Sequence, residues 1–213
     1  MDRSAAIAAL LREGRDIWSA NQIAPVQARR SEYQWLDELL PGHGWPTSVL
    51  IELIPMAEGI GELRLVLPAL KRLCREGRDI VFIRPPHLPY PPALAQAGLP
   101  LNRIIWIAAD SDADARWAAE QTLREGTAGA VLLWSDVAKD VLLRRLQLAA
   151  REAETLTFLY RSPMSLQLAS PAAVRVAMHP LRRGMRVEIL KAQGGHTGNV
   201  TLSLADEADE AAA

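Results

Sequence analysis

The chain has one cysteine, Cys74, in 213 residues. No disulfide can form within it, and a reducing compartment suits it. No apolar run approaches the ~18 residues that a membrane span needs. The first residues carry neither the apolar core nor the small-residue cleavage pattern of a signal peptide, so a cytoplasmic location is expected. The formal net charge is −1, which gives no global field for nucleic acid or membrane. His43, His87, His179 and His196 are scattered without metal-ligand spacing, and a single cysteine cannot complete a zinc site. Ser135, Asp136 and His179 could be drawn into a triad, but no nucleophile-elbow pattern supports one. No catalytic residue, metal or cofactor is expected.

Hydrophobic residues make up 49% of the chain, enough for a sizeable core in one ordinary domain. Residues 4–20 read as an amphipathic helix, with Ile7, Leu10, Leu11, Ile17 and Trp18 on one stripe and Ser4 as N-cap. Residues 19–30 are polar and contain Pro25, so they read as a linker. From residue 32 the pattern alternates between helix and strand. A short helix over 32–40 ends at Pro41-Gly42-His43-Gly44. A continuous apolar strand over 48–54 is broken only by Glu52 and reads as central. Leu63, Val66, Leu67, Leu70, Leu73 and Cys74 form the buried stripe of the next helix, which Gly77 stops. Strands follow over 79–84, 103–108, 130–134 and 155–160. Asp110, Ser111, Asp112 and Asp114 read as helix-capping residues rather than a cation loop. Beyond residue 162 the helices stop. Residues 174–178, 185–190 and 200–204 read as strands, with turns at Arg183-Gly184 and Gly194-Gly195. This order predicts an α/β fold, a doubly wound and mostly parallel sheet with a C-terminal antiparallel extension and a separate N-terminal helix. The predicted organisation is an N-terminal helix and linker over 1–30, a core over 31–204, and an acidic, disordered tail over 205–213. Of six Trp, most belong in the core; an exposed one would mark an interface.

The stretch VLIELIPMAEGIGELRLVLPAL carries the sharpest signal. It reads as a buried strand, a tight turn and a helix, the layout of a phosphate-binding loop of the form G-x-x-x-x-G-K-[ST]. In such a loop the lysine neutralises phosphates and the hydroxyl holds Mg²⁺. Here those two positions fall on Gly61 and Glu62, and a carboxylate repels a triphosphate. Gly59 and Gly61 still allow the strand-to-helix turn, with Glu62 placed to cap the helix and meet its dipole.

The succession of elements resembles the RecA-type core from about residue 32 to 204. WLDELLPGHGWPTSVLIEL is similar to the approach to the phosphate loop, and LKRLCREGRDIVFIRPP to its helix and the next strand. AVRVAMHPLRRGMRVEILKAQGG is similar to the closing hairpin. Within that superfamily EGIGELRLVLPAL and GHTGNV resemble the ImuA group and its relative SulA. The ImuA resemblance implies a non-catalytic accessory protein of SOS-induced translesion synthesis that binds RecA and ImuB, beside an accessory DnaE-type polymerase. The SulA resemblance implies, as the alternative, a cell division inhibitor that binds FtsZ; the extended N-terminal segment and longer C-terminal hairpin argue against it. A further alternative is a residual nucleotide-binding protein or ATPase. The departures weigh against that one: Gly61 and Glu62 in the first motif, Trp134 where the second motif places an aspartate, and Pro85-Pro86-His87 where a water-activating acid belongs.

Partner contact is expected on the stripe Ile7, Leu10, Leu11, Ile17 and Trp18, docking on RecA or on a second copy. Arg144, Arg145, Arg182, Arg183 and Arg186 are candidate phosphate contacts. The connections over 136–139 and 162–171 lack the aromatic platforms of single-strand binders, so direct DNA contact is left open.

Overall fold

The computed structural model describes residues 26–136 and 140–202. The N-terminal helix, and with it Ile7, Leu10, Leu11, Ile17 and Trp18, lies outside the described residues, as does the acidic tail. The chain enters as a two-residue strand, β1 (Ala28–Arg29), antiparallel to β2 (Trp45–Pro46). Helix α1 (Gln34–Leu39) lies between them. The end of the stretch read as a linker is therefore held against the core. Its neighbour Gly44 explains the closeness, because a Cβ there would collide with the Arg29 carbonyl oxygen.

The alternating pattern then unfolds as expected. In order come β3 (Leu50–Pro55), α2 (Leu67–Arg75), β4 (Asp79–Ile83), α3 (Pro91–Gln96), β5 (Ile104–Ile107), α4 (Asp112–Glu125), β6 (Ala128–Trp134), α5 (Asp140–Ala153) and β7 (Leu156–Tyr160). The chain closes with β8 (Val174–Leu181), β9 (Gly184–Ala192) and β10 (Gly198–Leu202). One eight-stranded sheet has the order β10-β9-β8-β3-β7-β6-β4-β5. From β8 to β5 neighbouring strands run parallel; β9 and β10 continue the sheet antiparallel. The fold is thus mixed α/β with a mostly parallel sheet.

Each face of the sheet buries one helical layer. Leu36, Leu70, Leu73 and Leu94 from α1, α2 and α3 pack with Ile51, Leu53, Phe82 and Phe158. Ala115, Leu123, Leu143 and Leu146 from α4 and α5 pack with Leu50, Val81, Val131 and Leu159 on the other side. Trp45 meets Phe158 edge-to-face at 5.2 Å, a pairing worth about 0.5–1.5 kcal/mol beyond the area it buries. α4 starts where the capping residues put it: the Ser111 hydroxyl accepts from the Asp114 backbone N–H at 3.1 Å, a cap worth about 1 kcal/mol. Gly126, in the left-handed region, ends it.

Helix α2 begins later than the apolar stripe predicts. Residues Glu62–Leu65 form a 3₁₀ turn, and the α-helix starts only at Leu67. Pro68 is the reason: it has no N–H to give, so it is tolerated in a first turn and not within a helix.

Glu52, the one charge in the central strand, is fully buried. Its neighbours in β8 and just past β7 supply the compensation. Arg161 donates from Nη1 at 3.0 Å, Arg175 from Nε at 2.7 Å, and the Ser170 hydroxyl at 2.5 Å. Arg175 also donates to the Ser165 carbonyl, and Lys191 Nζ to the Ser170 carbonyl. One carboxylate thereby fixes the whole connection between β7 and β8 to the middle of the sheet.

Candidate functional site

The turn after β3 sits at the carboxyl end of the parallel strands, where open α/β sheets form their binding crevices. Its start is pinned by the Met56 N–H donating to the Met178 carbonyl at 2.8 Å. Gly61, at φ +81°, makes the left-handed step into the 3₁₀ turn. Glu62 opens that turn, and no side chain caps it. The expected cap by Glu62 is thus absent, although its carboxylate lies in the first turn where the helix dipole favours it. The Tyr33 hydroxyl ties down the next segment by donating to the Arg64 carbonyl at 3.1 Å.

At the same end of the sheet, aromatic side chains pack against one another. Trp134, at the end of β6, stacks on Tyr160, at the end of β7, with ring centroids 4.5 Å apart and planes 8° apart. Phe82 of β4 backs the stack, 6.0 Å from Trp134. Burial, reinforced by the Glu62 charge, pushes the Tyr160 phenol well above its ordinary pKa. Its hydroxyl is buried without a hydrogen-bond partner among the described residues, as is the hydroxyl of Ser135, whose backbone N–H donates to the Tyr160 carbonyl. A phosphate site needs donors and positive charge converging on the turn. This turn has the Glu62 carboxylate where the hydroxyl belongs and Gly61 where the lysine belongs, and the cation against it, Arg64, lies over Gly61.

The other motif positions have structural duties. Arg84, with a left-handed backbone, donates to Asp112 at 2.7 Å. His87 lies 3.6 Å from Glu58, both largely exposed. Asp136 accepts from the Ser162 backbone N–H at 2.7 Å, and His179 pairs with Glu188 at 3.0 Å. Ser135, Asp136 and His179 are therefore not assembled into a triad. No group of three metal-ligating side chains occurs among the described residues, and no helix among them is long and apolar enough to cross a membrane. Cys74 is a buried core thiol whose pKa burial pushes up.

The five candidate phosphate-contacting arginines fall on α5 and on the β8–β9 hairpin. Arg144 and Arg145 are exposed on α5, and Arg145 bonds Glu120 of α4 at 2.7 Å. Arg182 and Arg183 are exposed at the β8–β9 turn, and Arg186 on β9 stands opposite His179. Among the described residues two Trp are well exposed, Trp106 on β5 at 49% and Trp117 on α4 at 63%. The sequence reading singles out neither; it places most Trp in the core and makes an exposed one the mark of an interface.

A family model described as cell division inhibitor SulA matches residues 50–157, just over half of the chain. The chain belongs to the SulA family. The matched stretch runs from the first residue of β3 into β7, so it contains the turn, Glu62 and Trp134. Tyr160 and the β8–β10 extension lie beyond it. Among solved structures, the crystal structure of SulA from Pseudomonas aeruginosa is similar at 26% identity with a TM-score of 0.46, over 55% of this chain and 99% of that one. No curated protein sequence matches.

Proposed function

We propose that this SulA-family protein is a non-catalytic, RecA-like accessory factor of the DNA-damage response that acts by binding other proteins. The observation that carries the reading is the makeup of the strand ends: Trp134 stands where the second motif places an aspartate and stacks on Tyr160, with Gly61 and Glu62 in place of lysine and hydroxyl. The RecA-type reading draws support from a central parallel strand that runs into a glycine turn, with an antiparallel hairpin closing one side of the sheet.

The partners we propose are RecA and ImuB, in a cytoplasmic translesion-synthesis assembly of the ImuA type. Its support is the resemblance of the turn and hairpin segments, together with elements outside the matched stretch: β1, β2 and the β8–β10 extension. A second reading, a division inhibitor that binds FtsZ, draws its support from the family match itself. Co-purification of the full chain with RecA, ImuB and FtsZ separates the two. Retention of RecA and ImuB but not FtsZ is expected, and retention of FtsZ alone would replace the first reading by the second. Leu11→Asp with Trp18→Ala is expected to abolish RecA retention. Mg-ATP is expected to leave the melting temperature unchanged, and a saturable rise would restore a nucleotide role.

A further inference from the structure

Residues 88–102 carry no charged side chain, yet only Leu94 and Leu99 among them are buried. They form α3 and the approach to β5, and they face α2 across an open groove of about 430 Å³. Binding clefts usually hold about 300–1,000 Å³. Gly98, Leu99 and Leu101 line one wall; Lys71, Cys74 and Arg75 line the other. Leu99 and Cys74 are nearly closed off from solvent, whereas Leu101 is 47% exposed.

The charges around this groove are unequally partnered. Over 71–79 and at 103, Arg72 pairs with Glu32 and Glu76, Glu76 also with Arg29, and Arg103 with Asp79 at 3.1 Å. Arg78 donates to the Gly126 and Ala128 carbonyls. Lys71 and Arg75 alone in this set have no hydrogen bond or ion pair among the described residues. They stand at i and i+4 on α2, where like charges repel. The helix dipole accounts for Arg75, in the last turn, and not for Lys71 one turn earlier. Packing holds Lys71 in place: a Cβ on Gly98 would lie 3.2 Å from its Cε and 3.7 Å from its Nζ. The ammonium is thus carried across the groove to the uncharged wall.

We propose that the α2–α3 groove docks an acidic, amphipathic segment of a partner protein. Carboxylates of that segment meet Lys71 and Arg75, and a leucine-type or aromatic side chain packs against Leu101. The occupant's chemistry follows from the two walls: unanswered cations on one side call for carboxylates, and the uncharged wall opposite calls for an apolar anchor. A single nucleic-acid strand needs aromatic platforms, and none lines this groove. The described chain ends at Leu202, on the far edge of the sheet and at the opposite end of the parallel strands, so its own acidic stretch does not start nearby. The inference rests on the reading of this protein as a binder of other proteins, not on the choice among RecA, ImuB and FtsZ, and the co-purification above tests that reading separately.

A random peptide library displayed on phage and selected on the full chain tests the chemistry directly. Enrichment of sequences with several Asp or Glu beside Leu, Phe or Trp is expected. The enriched peptide, labelled and titrated by fluorescence anisotropy, should bind Lys71→Glu with Arg75→Glu at least about tenfold more weakly, and should bind the native chain less tightly as salt rises. The same charge change on the other face of the sheet, Arg124→Glu with Arg151→Glu, should leave its affinity unchanged. Enrichment of peptides without acidic residues, no enrichment above an empty support, or equal loss in both double variants overturns the proposal. So does a labelled oligothymidylate that binds as tightly and is lost in Lys71→Glu with Arg75→Glu. Enrichment that appears only once residues 205–213 are removed also overturns it, since the chain's own acidic stretch would then be the occupant. If Lys71→Glu with Arg75→Glu fails to fold, Leu101→Ser on the opposite wall takes its place: weaker binding of the same peptide is expected, and unchanged binding overturns the groove as the site.

Discussion

Replacing Glu52 by glutamine keeps the shape of the side chain and removes its charge. The native carboxylate is fully buried and meets Arg161 at 3.0 Å and Arg175 at 2.7 Å, two guanidiniums whose side chains are 1% and 12% exposed. The variant leaves both cations in a low-dielectric interior and turns an amide NH₂ toward one of them. Breaking a buried ion pair from one side costs about 3–5 kcal/mol, because the orphaned charge keeps its desolvation penalty. A domain of this kind has about 5–15 kcal/mol in all, so the loss takes about a fifth of it or more. With a urea slope of about 2 kcal/mol per molar, the unfolding midpoint falls by about 1.5–2.5 M. Equilibrium urea unfolding followed by circular dichroism measures it, with an unchanged slope as the sign that the native state was hit. The triple change Glu52→Leu, Arg161→Met and Arg175→Met is expected to cost less than Glu52→Gln alone, since no charge is left behind. A Glu52→Gln loss below about 1 kcal/mol, or a triple variant weaker than the single one, would refute the assignment of Glu52 as the counter-charge that holds the connection between β7 and β8.

Tyr160→Phe removes a buried hydroxyl that has no partner among the described residues, so its urea midpoint is expected to match or exceed the native one, by up to about 1 kcal/mol. The same variant bears on alkaline stability. Burial, with Glu62, raises the folded pKa of Tyr160, so its contribution is complete below the unfolded value of about 10 and is lost as pH climbs toward the folded one. Native protein should therefore lose stability above that pH more steeply than Tyr160→Phe, and equal slopes count against the buried phenol. Glu76 behaves oppositely: burial opposes ionisation, but hydrogen bonds from Arg29 and Arg72 outweigh it and lower its pKa. Its stabilisation is present above the unfolded pKa and fades as pH falls through the folded one; at 38% side-chain exposure, Glu76→Gln should change acid unfolding by only a few tenths of a kcal/mol. Gly44→Ala should cost about 1–3 kcal/mol in thermal unfolding, because its methyl group meets the Arg29 carbonyl and forces β1 off β2; an unchanged melt would mean the two strands are not held together there.

Local pattern made most of the sheet legible. The strands from β3 to β7 are short apolar runs set between helical periods, and that alternation predicts a parallel sheet, though not the order of its strands. The capping of α4 by Ser111 is likewise a nearest-neighbour property. What escaped was long-range or too short to carry a period. β1 and β2 have two residues each, and they exist because Gly44 allows their backbones to approach. Glu52 showed as an oddity in an apolar run, but its partners stand 109, 118 and 123 residues away. The departures from a phosphate-loop pattern were visible at Gly61, Glu62 and Trp134. That Trp134 lies flat on Tyr160 was not, because the contact depends on β6 and β7 being neighbours. The late start of α2 was readable in Pro68 and outweighed by an apolar stripe that begins before it.

The order in which the strands lie has a consequence for how the family's shared segment can be handled. The stretch common to SulA proteins, 50–157, begins with β3 and stops short of the end of β7. In space, β8 lies directly against β3, so the sheet is interleaved from parts inside and outside that stretch. Excised at its borders, the stretch would turn its innermost strand into an open flank and strip Glu52 of both guanidiniums. Shared ancestry and autonomous folding thus have different borders in this chain. Any portable version of the SulA-like part must extend at least through β8, which makes the C-terminal hairpin part of the module rather than an appendage to it.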